Sequence, residues 1–493
     1  MAGAALAWFE VTVFLLDQPL TKSEFLNWRE CAKCAWLARY RPEVLQLRPA
    51  SAFDRMLMAD GYAVEREFRA LVERWPDGAD FEFQVTFEAN GCLARVDLVR
   101  NRANGCVDLY EIKSSTSVKS GTRDHIIDLA FQCEIARLTG IEVVNAFLVH
   151  IDGAYLRNGN VNPAELFIIV DATDRIAQIS ETISQEIDQA LQHFSLTAID
   201  ERGCGCRYHG SISRRCLAFA HLNPDVPDIC AHLLPRISRT RLEKLDRGGS
   251  LAMEAVKEDD VTPMQLMVLK SFHSGTPIVD EGWVGRFLDD LAFPLMFYDY
   301  ESFASAVPIA DGLSPHSQIP VQFSMHVLAE DGSVSHHEYL CDTPGAHREL
   351  VDTLASVTPK SGTVLVWNES YEKSCNRRLA KLLPDHAAFL ADINERTVDL
   401  MKPFRCAFVD SRFLGSTSIK KVLPVLCPQL RYDENQVHDG AGAMEAWFEM
   451  VSTIDAQRKV ALRQQLLNYC RLDSLAMIEI WRVLMRVCGR PTI

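Results

Sequence analysis

Arg95-Val96-Asp97-Leu98-Val99, followed after an Asn104-Gly105 turn by Tyr110-Glu111-Ile112-Lys113-Ser114, is the stretch on which the reading of the chain turns. Side chains two apart on a strand share a face, so Glu111 and Lys113 point the same way. An Asn-Gly pair makes a tight hairpin turn, which folds their strand back beside Asp97. Two carboxylates and one ammonium then surround one point, bracketed by the apolar Val96, Leu98, Leu109 and Ile112. Paired carboxylates can hold Mg²⁺, which acidifies bound water and neutralises a phosphate, while the lysine stabilises charge developing on that phosphate. Outward from this point, 81–87, 92–99 and 107–113 read as a meander of strands. Helices are expected at 52–75, 124–139 and 174–194, with strands at 143–151 and 166–170.

A second acidic strand is Met296-Phe297-Tyr298-Asp299-Tyr300-Glu301-Ser302. Its two acids share a face, and burying them without a cation is costly because both lose water and repel each other. Asn368-Glu369-Ser370-Tyr371-Glu372 follows an expected strand at 363–367, placing Glu372 at the start of the next helix. Tyr469-Cys470-Arg471-Leu472-Asp473 lies on a long amphipathic helix expected over 456–487, with Tyr469 and Asp473 one turn apart on one face. A strand at 295–302, a hairpin of 321–328 and 334–341 about Asp331-Gly332, a helix opened by Thr343-Pro344, and a strand and helix to 383 complete the order. Three antiparallel strands, then helix, strand, helix and a final helix, form an RNase H-like sequence of elements.

The 493 residues, 48% of them hydrophobic, allow about two to four domains with real cores. We expect domains at 1–220 and 291–493, with 221–290 as a helical linker region. A net charge of −15 excludes a global basic footprint, yet suits sites built from metal-holding carboxylates. The 15 cysteines, an odd number with no secretory signal before them, favour a reducing, cytoplasmic location and metal ligation by a subset. The apolar stretch 4–16 contains Glu10 and is too short to span a bilayer, so it is expected as a buried first strand; no other stretch approaches a membrane span. Cys204-Gly205-Cys206 and Cys216 crowd a polar loop, and Cys31 or Cys34 offers a fourth thiolate for zinc or a [4Fe–4S] cluster. Cys92, Cys133, Cys341, Cys375 and Cys427 read as buried thiols. Lys22, Arg29, Lys33, Arg39, Arg41 and Arg48 form a candidate phosphate-tracking surface. The chain contains no G-x-x-x-x-G-K-[ST] loop, so ATP-driven unwinding would have to come from another protein.

The Asp97, Glu111 and Lys113 pattern resembles the PD-(D/E)XK nuclease superfamily, in its RecB-like branch. That resemblance implies an α/β restriction-endonuclease-like fold, with Glu65 of Gly61-Tyr62-Ala63-Val64-Glu65 as a further metal ligand and Glu67 as the alternative. It also implies that Gln132 orients the substrate or the lysine, although Ala136 stands where the branch usually has a tyrosine. One cysteine before the core and three after it is similar to the iron–sulfur subgroup of that branch, including CRISPR-associated adaptation nucleases. The likeness implies a [4Fe–4S] cluster on Cys31, Cys204, Cys206 and Cys216, with zinc as the alternative and a C-x-C-x₉-C spacing that departs from the commoner form. The second set resembles the DEDDy 3′–5′ exonucleases. There Asp299, Glu301 and Asp473 would hold two Mg²⁺ or Mn²⁺ ions and Tyr469 would orient the attacking water. Glu372 takes the place of an acid that is usually Asp. Residues 291–485, with Gly415-Ser416-Thr417-Ser418-Ile419-Lys420-Lys421, also resemble a bacterial domain of unknown function that typically follows an iron–sulfur RecB-like nuclease; Asp399 and Lys420 are expected along its groove. The expectation is an enzyme: a two-site metal-dependent nuclease cleaving DNA from single strands or ends in processing, repair or defence. The alternative is a nucleic-acid-binding scaffold or helicase-partner subunit with one or both sites inactive.

Overall fold

The structure is a computed structural model that describes residues 18–491 apart from 48, 77–79, 122–123, 250 and 433–436. The stretch 4–16 and Arg48 lie outside the described residues. The protein is mixed α/β, with two principal sheets of mixed strand direction.

The first sheet centres on Val107–Lys113, whose first five residues are buried on both faces. Asn104 and Gly105 adopt the left-handed conformation (φ 71° and 78°), and the chain returns with Leu98 opposite Tyr110 and Asn101 opposite Val107. On the other side, Val107–Lys113 pairs in parallel with Val143–Ile151. Parallel neighbours need a crossover, and the helix His125–Leu138 supplies it, capped by Asp124. That helix is buried on nearly every side because it is pressed between the sheet and the helix Thr173–Phe194. Phe167–Asp171 closes one edge, and Phe81–Ala89 and Leu20–Thr21 both pair with Cys92–Asn101. The helix expected at 52–75 runs Ala52–Val72, fixed at its start by a Ser51/Asp54 capping box.

In the second sheet the order is Val334–Leu340, Ile319–Leu328, Leu295–Phe303, Thr363–Val366, Thr397–Asp399. The first two junctions are antiparallel and the last two parallel. Leu295–Phe303 is the central strand, and the helix Ala456–Val487 lies across it and Ile319–Leu328, burying Tyr469, Cys470, Asp473 and Trp481. Between the two sheets in sequence, Ala231, Leu234, Leu242, Leu251 and Leu269 form a small core that also takes in Val409. Ile278–Val279 pairs with Phe408–Val409, so this middle segment is stitched to later chain. Gly415 (φ 73°) backs so closely on it that a Cβ there would sit 2.1 Å from the Leu233 carbonyl oxygen. The loop after the central strand meets the first sheet's unit: Ala306 N donates to Asp60 at 2.9 Å, and His316 Nε2 lies 2.5 Å from the Ser114 carbonyl. Among the described residues no helix is long and apolar enough to cross a membrane.

Candidate active sites and a cysteine cluster

The antiparallel ladder between Cys92–Asn101 and Val107–Lys113 ends at Leu98 and Tyr110, and Asp97 stands just beyond it. Freed from the ladder, the Ile112 amide donates instead to Asp97 Oδ2 at 2.8 Å. Glu111 is buried next to it, and its two oxygens are divided: Lys113 (2.6 Å) and Lys22 (2.8 Å) hold Oε1, while Gln132 Nε2 donates to Oε2 at 2.7 Å. Gln132 and Asp128 lie one turn apart on the crossover helix, and Asp128 pairs with both lysines. Glu65 reaches the same place from the helix Ala52–Val72. Gln84 Nε2 bridges it (3.2 Å) to Asp97 (3.5 Å). Gln84 sits in mid-strand at φ 59°, a left-handed conformation that costs a non-glycine residue energy and is kept where a side chain must be aimed. Glu65, Asp97, Tyr62 and Ile112 line a cavity of about 220 Å³. Glu67, the alternative to Glu65, pairs with Arg66 and faces a different cavity.

Burial and then the charge of Glu111 push the Asp97 carboxyl up to about 7. Burial opposes ionisation of Glu111 as well, but the ammonium groups of Lys113 and Lys22 prevail and hold it well below the usual carboxylate range. Burial, aided by Lys113, brings the neighbouring His125 down to about 4, so this imidazole is neutral at pH 7.

The second site gathers Asp299, Glu301, Glu372, Lys420, Tyr469 and Asp473 around a cavity of about 410 Å³. Asp299 and Glu301 share the inner face of the central strand, and the long helix brings Asp473 and Tyr469 over them. Burial, then the charge of Asp473, raises the carboxyls of both Asp299 and Glu301 well above normal. Asp473 is raised to about 6 by burial, tempered by hydrogen bonds from Tyr432 and Tyr469. Tyr432, absent from the sequence expectation, donates directly to Asp473 Oδ1. Lys420 donates to the Tyr469 hydroxyl and to the His438 carbonyl, both at 2.7 Å. Glu372 is raised to about 8 by burial and by the charge of Asp399, and its Oε2 has no hydrogen-bond partner. Asp399, expected along the groove, instead accepts from the Met401 amide at 2.9 Å and pairs with Arg405.

Cys31, Cys204, Cys206 and Cys216 bring their sulfurs within 4.8 Å of one another, a donor set able to hold a metal. The helix Lys22–Tyr40 breaks at Cys31 (φ −157°, ψ 94°), which turns that thiol towards the loop. Cys34, the other candidate, lies outside the set of four but hydrogen-bonds to Cys216, which lowers its thiol to about 7. The surroundings are tied by Trp36 Nε1 to Leu196 O (3.1 Å) and Lys33 Nζ to Arg202 O (2.9 Å). The basic residues expected as a phosphate-tracking surface are paired within the chain: Lys22 to Glu111, Arg29 to Glu186, Lys33 to Asp200, Arg39 to Glu24, Arg41 to Glu201. Cys92, Cys133, Cys341, Cys375 and Cys427 are buried free thiols.

Residues 296–418 match the family model of a domain of unknown function (DUF2779), a span that includes Asp299, Glu301 and Glu372 and stops before Lys420, Tyr469 and Asp473. An uncharacterized protein of Mycoplasma pneumoniae, the MG366 homolog, is 26% identical over 208 residues, covering 38% of this chain. The match spans 31% of that relative's length. The crystal structure of SSO0001 aligns with 34% of this chain and 78% of its own at 16% identity, with a TM-score of 0.21, too low to relate the two folds.

Proposed function

We propose that the chain is a metal-dependent nuclease with two active sites, hydrolysing DNA phosphodiesters at single strands or ends. The observation that carries this reading is that buried and half-buried carboxylates from distant parts of the chain converge twice, each time with some of them lining a cavity. Like charges held out of water repel and lose solvation, so such clusters are favourable only with a compensating cation. The raised carboxyls of Asp299, Glu301 and Asp473 and the unpartnered Glu372 Oε2 support a reading in which this site takes a cation. Glu65, Asp97 and Glu111 would hold Mg²⁺ or Mn²⁺ in the first site; Asp299, Glu301 and Asp473 would do so in the second. When bound, the ions supply an acidified water and neutralise the phosphate. Lys113 stabilises the charge that develops on the phosphate oxygens, and Gln132 fixes Glu111. Tyr469, held by Lys420, orients the attacking water. The parallel crossover beside the Glu111 strand supports a PD-(D/E)XK assignment for the first unit. The second sheet's strand order (third, second, first, fourth, fifth, with only the second reversed) supports an RNase H-like, DEDDy assignment for the other.

For the cysteine cluster we propose a resident metal centre that staples the helix Lys22–Tyr40 to the loop 204–216. The family resemblance points to [4Fe–4S], whereas the sulfur spacing suits a single tetrahedral ion. Bonds of ~2.3 Å to one zinc separate its sulfurs by about 3.8 Å, and Cys204 and Cys216 lie 3.9 Å apart. A broad absorption near 400 nm in anaerobically purified protein selects the cluster, and its absence with one bound zinc selects the ion. A second functional reading, a nucleic-acid-binding scaffold with an idle second site, is favoured by Glu372, one methylene longer than the Asp of the resembled exonucleases.

The test is digestion of end-labelled single-stranded and duplex DNA, and of matching RNA, with Mg²⁺ or Mn²⁺. Wild type, Lys113→Ala, Asp299→Ala and the double variant are compared. Each single variant is expected to lose part of the cleavage and the double variant all of it. Loss of all digestion in one single variant shows that one site works alone, and undiminished digestion in the double variant refutes the proposal.

A further inference from the structure

Lys22 opens the helix Lys22–Tyr40 directly after a Thr21/Glu24 capping box, and Leu20 beside it pairs with Cys92 of the first sheet. Its position is therefore fixed from two sides. Its ammonium lies 2.8 Å from Glu111 Oε1 and 2.9 Å from Asp128 Oδ1. Lys113 takes the same pair of carboxylates, with its own contact to Glu111 Oε1 at 2.6 Å. Two ammonium groups thus crowd one oxygen of a carboxylate that the proposed reading gives to a divalent cation. An ion arriving at that oxygen and an ammonium already there repel each other strongly in so buried a place. The two lysine side chains are exposed alike, 23% for Lys22 and 19% for Lys113, but they come from different elements, Lys113 from the strand that carries Glu111 and Lys22 from the first turn of a helix, while Glu111, 2% exposed, forms the floor.

We propose that Lys22 is a second catalytic cation of the first site: it neutralises Glu111 in the metal-free protein and, displaced by a divalent ion, turns to the substrate phosphate. This rests on the metal-dependent reading of that site. The exchange is ionic, with no bond made or broken. Asp128, which pairs with both lysines, keeps the displaced ammonium near the site, and the stem of Lys22 on the first turn of its helix limits how far it swings. The site then presents two cations to the phosphate, Lys113 from the strand and Lys22 from the helix.

The experiment uses the full chain carrying Asp299→Ala, which silences the second site. Mn²⁺ affinity is measured by electron paramagnetic resonance, and the first-site signal is the part that disappears on adding Asp97→Ala. Single-turnover cleavage of end-labelled single-stranded DNA is measured at saturating Mn²⁺. Lys22→Met is expected to bind Mn²⁺ about tenfold more tightly, because a competing charge is gone, and to cleave about 10²-fold more slowly, because a phosphate contact is gone. Lys22→Arg is expected to move both quantities back towards the parent. Should Lys22→Met lose its near-ultraviolet circular dichroism, Lys22→Gln is judged by the same two readouts. Unchanged or weaker Mn²⁺ affinity, or cleavage within about twofold of the parent, overturns the inference while leaving the metal reading intact. Absence of an Asp97-dependent Mn²⁺ signal in the parent overturns both.

Discussion

Asp473→Asn should stabilise the metal-free protein while abolishing the second site. In the folded chain the Asp473 carboxyl is lifted from its ordinary 3.8 to about 6. That displacement is worth about 3 kcal/mol against the charged native form. Asparagine keeps one acceptor for Tyr432 or Tyr469 but not both, a loss of about 1 kcal/mol, which leaves a net gain of about 2 kcal/mol. Between about pH 4 and pH 6 the native carboxyl still holds its proton while the unfolded one has released it. Wild-type stability therefore falls as pH rises through this window and stays lower above it, whereas the asparagine variant is indifferent. The gap between the two proteins should be near zero at pH 4 and full at pH 8. For a unit of this size it corresponds to about 4–8 °C in the melting temperature. The assay is thermal unfolding in EDTA, followed by tryptophan fluorescence, to which the buried Trp447 and Trp481 of this unit contribute. Adding Mn²⁺ should stabilise the wild type more than the variant and shrink or reverse the gap. A variant less stable than wild type at pH 8, or a gap that does not change between pH 4 and pH 8, would refute the idea that this acid is held at a cost for a cation.

Tyr469→Phe should slow second-site cleavage by about 10–10² with a far smaller change in Mn²⁺ affinity, since the hydroxyl orients water and touches the ions only through its hydrogen bond to Asp473; isothermal titration and single-turnover digestion check the two halves. Cys216→Ser should lower the bound metal content measured by elemental analysis and reduce the melting temperature, because the staple between the helix Lys22–Tyr40 and the loop 204–216 opens. Gln84→Gly should change stability by no more than about 1 kcal/mol, as relief at φ 59° offsets glycine's added chain entropy. First-site cleavage should nonetheless fall about tenfold as Glu65 and Asp97 lose their bridge; urea unfolding and digestion at saturating Mn²⁺ measure both.

Much of each site was legible wherever the chemistry repeats a local period. Glu111 and Lys113, Asp299 and Glu301, and Tyr469 and Asp473 are neighbours by strand or helix spacing, and the structure places each pair in one cavity or network. The turn at Asn104 and Gly105 was readable because those residue types tolerate left-handed backbone. What escaped were partners brought together only by the tertiary fold. Lys22 lies 89 residues before the Glu111 it holds and carries no signature beyond its charge. Gln84 and Tyr432 likewise look like ordinary strand and loop residues until packing aims them at Asp97 and Asp473. The basic stretch from Lys22 to Arg41 shows the same limit: a row of cations in sequence does not reveal the acids that pair with it, and five of them pair inside the chain. The middle segment, read as a linker, packs a small core with Val409 that depends on contacts across more than a hundred residues.

The most direct measurement is anomalous diffraction from crystals of the full chain grown with Mn²⁺. Density is expected within coordination distance of Asp97 and Glu111, and again among Asp299, Glu301 and Asp473, with the Lys22 ammonium moved off Glu111. Crystals saturated with Mn²⁺ that show no anomalous peak at either carboxylate cluster would contradict it.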